Sequence, residues 1–126
     1  MKKVIHSDKA PEAMGPYSQA ILMGNLVFTS GQIAIDPGTG KLIEGGIQEQ
    51  ARQVMANLSA VLKAAGTDFT RAIKAKVFLH DINNFAEFNE VYSEYFPSNP
   101  PARSAFQVVA LPLGAMVEIE MIATVK

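Results

Sequence analysis

Three polar features of this 126-residue sequence have the residue types and surroundings for chemistry. Arg103 directly follows Pro100-Pro101-Ala102 and opens an apolar, strand-like run. Prolines fix the backbone there, and a guanidinium held in place offers a planar fork suited to a carboxylate. Glu120 stands within the apolar stretch Val117–Val125, where an acid needs solvent, a partner or a task. Ser30-Gly31-Gln32 interrupts the early strand-like segments, and a glycine there lets a ligand approach the backbone. Each feature taken singly also has an ordinary structural or surface reading, and spacing alone leaves open whether they meet.

Other chemistries are poorly supplied. The cysteine count is 0, which excludes a disulfide framework, a thiolate metal site and a cysteine nucleophile. His6 and His80 are the only histidines and no carboxylate cluster has ligand spacing, so a solvated or hydrogen-bonded histidine is the simpler reading and no metal is expected. No G-x-S-x-G elbow exists for serine catalysis. Gly38-Thr39-Gly40-Lys41 lacks the phosphate-loop spacing and reads as a hairpin turn. Asn57-Leu58-Ser59 matches a glycosylation sequon but falls mid-helix in a chain without a secretion signal, so it reads as a chance match.

The elements that must carry these residues fit one domain spanning 1–126. Hydrophobic residues make up 48% of the chain, which excludes disorder, and a net charge of −1 removes the electrostatic footprint of a nucleic-acid binder. No apolar run approaches the roughly 18 residues of a membrane span, so a soluble, cytoplasmic protein is expected. Residues up to Pro16 are polar and turn-forming. Ala20–Met23 and Leu26–Thr29 flank Gly24-Asn25 as a hairpin, and Gln32–Ile35 reads as a third short strand ended by Asp36–Gly40. Ile47, Ala51, Val54, Met55, Leu58, Val61, Leu62 and Ala65 form a helical stripe, with Gln53 and Asn57 off it and Gly66 in the C-cap region.

Ile73, Ala75, Val77 and Leu79 alternate as a strand. Asn84 with Glu87 resembles a capping box for a second helix that Pro97 stops, and strands follow at about Ala102–Ala110 and Met116–Val125. The expected class is α+β: a mixed, mostly antiparallel sheet of about six strands with two helices on one face. Val117, Ile119, Met121, Ala123 and Val125 suit the helix-covered face, yet Ile122 and Phe78 lie on the other. A second copy of the chain is the expected cover.

Gly15-Pro16-Tyr17-Ser18-Gln19-Ala20, Phe28-Thr29-Ser30-Gly31-Gln32-Ile33, Phe88-Asn89-Glu90-Val91-Tyr92, and Pro101-Ala102-Arg103-Ser104 through Ile119-Glu120 together strongly resemble the RidA family, also called YjgF, over essentially the whole chain. The resemblance implies a fold similar to Bacillus chorismate mutase, assembled as a homotrimer with clefts between subunits. It also implies cofactor-free hydrolysis of reactive 2-imino acids, such as 2-iminobutanoate and 2-iminopropanoate, to 2-oxo acids and ammonia. Carried over by position, Arg103 would clamp the substrate carboxylate and Glu120 would position or deprotonate the attacking water. Tyr17 would orient substrate or water, Ser30 and Gly31 would line the pocket, and Asn89 would be a supporting polar contact. Ala105 stands where many deaminase-type relatives have cysteine, and relatives use the backbone carbonyl there. The competing readings are a regulatory trimer that binds a small carboxylate without turnover, and a ribonuclease or translation inhibitor, which the balanced charge disfavours.

Overall fold

The computed structural model describes residues 1–126. Strands β1 (Lys2–Ile5), β2 (Ala20–Met23) and β3 (Leu26–Thr29) form an antiparallel meander, in which Gly24 turns the second hairpin at a φ of 59°. Such a left-handed position costs glycine little. Strands β4 (Ile35–Asp36) and β5 (Lys41–Leu42) pair as a separate small hairpin. Its Asp36–Gly40 turn is closed by the Gly40 N–H donating to the Asp36 carbonyl at 2.8 Å, and by the Gly38 N–H donating to Asp36 Oδ1 at 2.8 Å. The Gly38–Lys41 segment is thus a hairpin turn.

Helix α1 (Ile47–Ala64) starts where the Gly46 N–H donates to Glu49 Oε1 at 2.8 Å, half of a capping box. It ends in a Schellman motif: Gly66, at a φ of 87°, donates to the Lys63 carbonyl, and Thr67 donates to that of Leu62. Strand β6 (Ala72–Leu79), helix α2 (Phe85–Glu94) and strand β7 (Ala102–Gln107) form a β-α-β unit, so β6 and β7 pair in parallel. Strand β8 (Val117–Thr124) runs antiparallel to both β3 and β6, giving one six-stranded sheet in the order β1-β2-β3-β8-β6-β7. The α+β class and the mixed sheet agree with the residue pattern.

Alternation decides which side of the sheet is core. Val27, Ala75, Val77, Leu79, Val117, Ile119, Met121 and Ala123 are buried, and they share one cluster with Ala51, Val54, Met55, Leu58, Val61 and Leu62 of α1 and Phe88, Val91 and Tyr92 of α2. Both helices therefore cover this side. On the other side, Val4, Met23, Leu26, Phe28 and Phe106 remain exposed. No helix is long and apolar enough to cross a membrane.

The structure departs from the sequence pattern at several points. The polar N-terminal stretch contains β1, which completes the meander as a short edge strand. Gln32–Ile35 is not one strand: Gln32 makes a single bridge to Ile119, and Ile35 belongs to the β4–β5 hairpin. The last two strands are shorter than expected. Ile73 is 46% exposed because a register irregularity between Ala72 and Lys74 takes it off the alternation. Asn84 makes no side-chain cap; Asp81 instead accepts from the Asn83 N–H at 2.9 Å and caps the 3-10 turn leading into α2.

Asn57 is the most consequential departure. It is buried, and its Nδ2 donates to the carbonyls of Ile33 at 3.1 Å and Ile35 at 2.9 Å, tying α1 to the irregular backbone before β4. Asn57→Ala leaves both carbonyls without this donor. A stability loss of about 2–4 kcal/mol is expected, read from the urea midpoint at unchanged m-value.

Candidate active site

The β3–β8 ladder runs from Leu26↔Thr124 to Phe28↔Ile122, stops, and resumes at Gln32↔Ile119. Thr29, Ser30 and Gly31 on one side thus oppose only Met121 and Glu120 on the other, which is a bulge of one extra residue. Part of its hydrogen bonding is satisfied locally. The Met121 N–H donates to Thr29 Oγ1 at 2.9 Å, the Ser30 N–H donates to the Gln19 carbonyl at 2.9 Å, and Ser30 Oγ donates to the Ser18 carbonyl at 2.6 Å. The Glu118 carboxylate packs directly over Gly31, so a Cβ at this position would have to displace that side chain.

Tyr17 is exposed and its hydroxyl accepts from the Met14 N–H at 3.3 Å. Tyr17, Gly31 and Glu118 line one cavity of about 360 Å³, with Met14, Ile33 and Leu113 among its apolar walls. Tyr17 and Ser30 line an adjoining hollow of about 390 Å³. The bulge therefore brings Tyr17, Ser30 and Gly31 together, with Glu118 of β8 beside Tyr17 and Gly31.

Arg103 belongs to a second group. Its register partner is Ala75, itself opposite the buried Met121, so Arg103 points to the helix side of the edge strand β7. There Nη1 donates to Asn89 Oδ1 at 2.8 Å, and the guanidinium carbon lies 4.8 Å from the Tyr92 ring centroid and 5.3 Å from that of Phe85. Rings and amide together hold the guanidinium plane while leaving further N–H groups free for a carboxylate. Asn89, Tyr92, Pro100, Pro101 and Arg103 line a cavity of about 440 Å³. Ala105, two residues along the same side of β7, is half-buried beside Val77. The Tyr92 hydroxyl is buried without a hydrogen-bond partner; burial pushes this phenol up, and the Arg103 charge opposes that shift.

Glu120 is in register with Lys76 and, through it, Ser104, on the side of the sheet away from the helices. Arg103 and Glu120 therefore face opposite sides of the sheet within one chain. The structure brings together Arg103, Asn89 and Ala105 at one edge, and Tyr17, Ser30 and Gly31 around the bulge, as two separate halves; the acid in the bulge cavity is Glu118, while Glu120 lines neither cavity there. Glu118, Tyr92 and Phe85 complete these halves without having been singled out from sequence. Glu118 was detectable, because it stands two residues before Glu120 and must share its face. The ring pair around Arg103 was not, since it depends on how α2 packs over β7. His6 also approaches Asp8 at 3.6 Å and Glu12 at 3.3 Å in an exposed cluster.

Burial, and secondarily the neighbouring Glu120, hold the Glu118 carboxyl above the ordinary carboxylate range. In that window the unfolded chain has released a proton the folded chain retains, so the contribution of Glu118 to stability falls as pH rises through it. Glu118→Gln removes this penalty. The melting temperature of the variant minus that of the unaltered protein should grow from about pH 4 towards neutrality, as read by circular dichroism; a flat or falling difference contradicts the assignment.

Residues 7–125 match the family described as Endoribonuclease L-PSP. A 2-iminobutanoate/2-iminopropanoate deaminase of Bos taurus is 52% identical over 123 residues, covering 98% of this chain and 90% of the relative. Among solved structures, the yeast protein YEO7 superposes with a TM-score of 0.97 at 44% identity over 100% of both chains. The structure of Escherichia coli TdcF with bound serine has a TM-score of 0.92 at 44% identity, over 97% of this chain and 98% of that one. Agreement of this extent in sequence and in fold makes the chain a member of the Endoribonuclease L-PSP family, the RidA/YjgF group whose motifs it carries.

Proposed function

We propose that the protein hydrolyses reactive 2-imino acids, such as 2-iminobutanoate and 2-iminopropanoate, to the corresponding 2-oxo acids and ammonia. The observation that carries this reading is the Arg103 clamp: a guanidinium held by Asn89 and flanked by two rings, beside a cavity, in a chain 52% identical to a deaminase of such imines. Arg103 takes the substrate carboxylate through paired N–H donors. Glu120 accepts a proton from water as the water oxygen bonds to C2 of the protonated imine and the C=N π electrons move to its NH2⁺ nitrogen. The resulting carbinolamine receives that proton on nitrogen and expels ammonia as the C2 hydroxyl becomes the carbonyl, its proton leaving through Glu120 or solvent. Tyr17 orients substrate or water, Ser30 and the Gly31 N–H border the substrate, and the Ala105 carbonyl offers an acceptor. The substrate carbon is already electrophilic, so this sequence of steps consumes only water.

Because the two halves of the site face opposite sides of one sheet, the productive arrangement is a cleft between protomers of a homotrimer. In it, Arg103, Asn89 and Ala105 of one copy meet Tyr17, Ser30, Gly31 and Glu120 of the next. The apolar residues of the uncovered sheet face support this assembly. A second reading, binding of a small carboxylate without turnover, is favoured by the bound serine in the TdcF structure. A ribonuclease role is not favoured by a net charge of −1.

The test is release of 2-oxobutanoate while a threonine dehydratase generates the imine in situ and semicarbazide traps what remains. Acceleration over free imine decay is expected for the unaltered protein, and its absence leaves only the binding reading. Arg103→Ala should cost roughly ten- to a hundredfold in kcat/KM, with Arg103→Lys recovering little because an ammonium lacks the fork. Glu120→Gln should retain 2-oxobutanoate binding and lose about 10²–10⁴-fold in kcat; equal turnover removes Glu120 from the mechanism. Light scattering should give three copies, and a monomer that turns over would refute the shared cleft.

A further inference from the structure

We infer that Tyr92 is a positioning residue for the Arg103 clamp, its buried hydroxyl a vacant acceptor that takes a guanidinium N–H once a substrate carboxylate is bound. This inference rests on the imine-hydrolysis reading above and deepens its binding half.

Phe88, Tyr92 and Phe96 follow at steps of four along α2 and just past its end, with successive ring centroids 5.5 and 4.8 Å apart. The outer two are phenylalanines, so the stack needs rings and no oxygen. The hydroxyl on the middle ring works against the fold. Tyr92 is 6% exposed, and its Oη is the one buried side-chain oxygen or nitrogen without a hydrogen-bond partner. A buried hydroxyl left unpaired is destabilising. Assembly does not change this, because Oη is sealed by its own chain and neither water nor a neighbouring copy reaches it.

A partner must therefore come from the polar groups that line the same cavity, which are Asn89, Ser93 and Arg103. Ser93 Oγ already donates to the Glu90 carbonyl at 3.0 Å, and Asn89 Oδ1 accepts from Arg103 Nη1 at 2.8 Å. The guanidinium remains. Its carbon lies closer to the Tyr92 ring than to that of Phe85, at 4.8 against 5.3 Å, and its charge and hydrogen-bonding reach both oppose the effect of burial on the phenol. Of the five N–H groups of an arginine, Asn89 takes one and a carboxylate takes two, which leaves donors to spare. A bound carboxylate fixes the rotation of the fork. With Nη1 held on Asn89, the freedom left is a swing over the Tyr92 ring that brings an inner N–H to Oη. The bond forms in the complex and not in the free chain, so it adds to affinity rather than to stability. It is the same in bound substrate and transition state, so it acts on KM and leaves kcat alone.

The experiment uses Tyr92→Phe, which keeps the ring and removes the oxygen, so its melting temperature should equal or exceed that of the unaltered protein. By calorimetric titration, Kd for 2-oxobutanoate should rise about tenfold. KM for the imine generated in situ from threonine should rise with it, while kcat stays within about twofold. In the Arg103→Ala background the same substitution should change kcat/KM by less than about twofold, because the hydroxyl acts through the guanidinium. An unchanged Kd, a fall in melting temperature, or an equal loss with and without Arg103 overturns the role of Tyr92. If the unaltered protein accelerates no imine, the activity reading fails, and the 2-oxobutanoate titration decides the hydroxyl by itself. A weaker Kd in Tyr92→Phe then supports it, and an equal one overturns it.

Discussion

Every second residue of β8 is committed to the core, and the placement of the chemistry depends on that parity. Val117, Ile119, Met121 and Ala123 are each at most 2% exposed. A slip of one residue would expel these four and drive Glu118 and Glu120 into an apolar interior, so the register is strongly determined. Both acids thus share the uncovered face because of the apolar residues between them. Pairing extends the constraint to β6 and from there to β7, where it turns Arg103 towards α2. The separation of clamp and acids is a property of the sheet itself.

Much of this was legible in the residues. The stripe of α1, the hairpin at Gly24-Asn25 and the alternation along β6 and β8 follow from periodicities that one face of burial imposes. Other features depend on partners distant in the chain. β1 is short and mostly exposed, and its strand character comes from pairing with β2 rather than from its own Lys2-Lys3 start. Asn57 looked like a surface residue of α1 because its need for burial arises from two backbone carbonyls more than twenty positions earlier. The bulge at Ser30-Gly31 was visible only as an interruption; its one-residue excess is a relation between β3 and β8.

The two halves of the site handle charge differently. A guanidinium is weakly hydrated and tolerates a half-buried position against rings, so Phe85, Tyr92 and Asn89 can hold it rigidly at modest desolvation cost. The carboxylates have no such cover. Glu118 lies half-buried over Gly31 with Glu120 nearby, and its raised pKa records an environment that disfavours a second negative charge.

On the uncovered face, Val4, Ile21, Phe28 and Ile122 stand in one row across β1, β2, β3 and β8, and the next residue in register is Lys74 of β6. An apolar row bordered by lysine attracts a partner while opposing indiscriminate stacking of sheets. The same face carries Glu118 and Glu120 beside the row. In the proposed trimer, the contact that removes the row from water is then the contact that presents these acids to a neighbour's guanidinium. Assembly and catalysis draw on one surface, and a substitution that weakens the row must weaken the cleft with it.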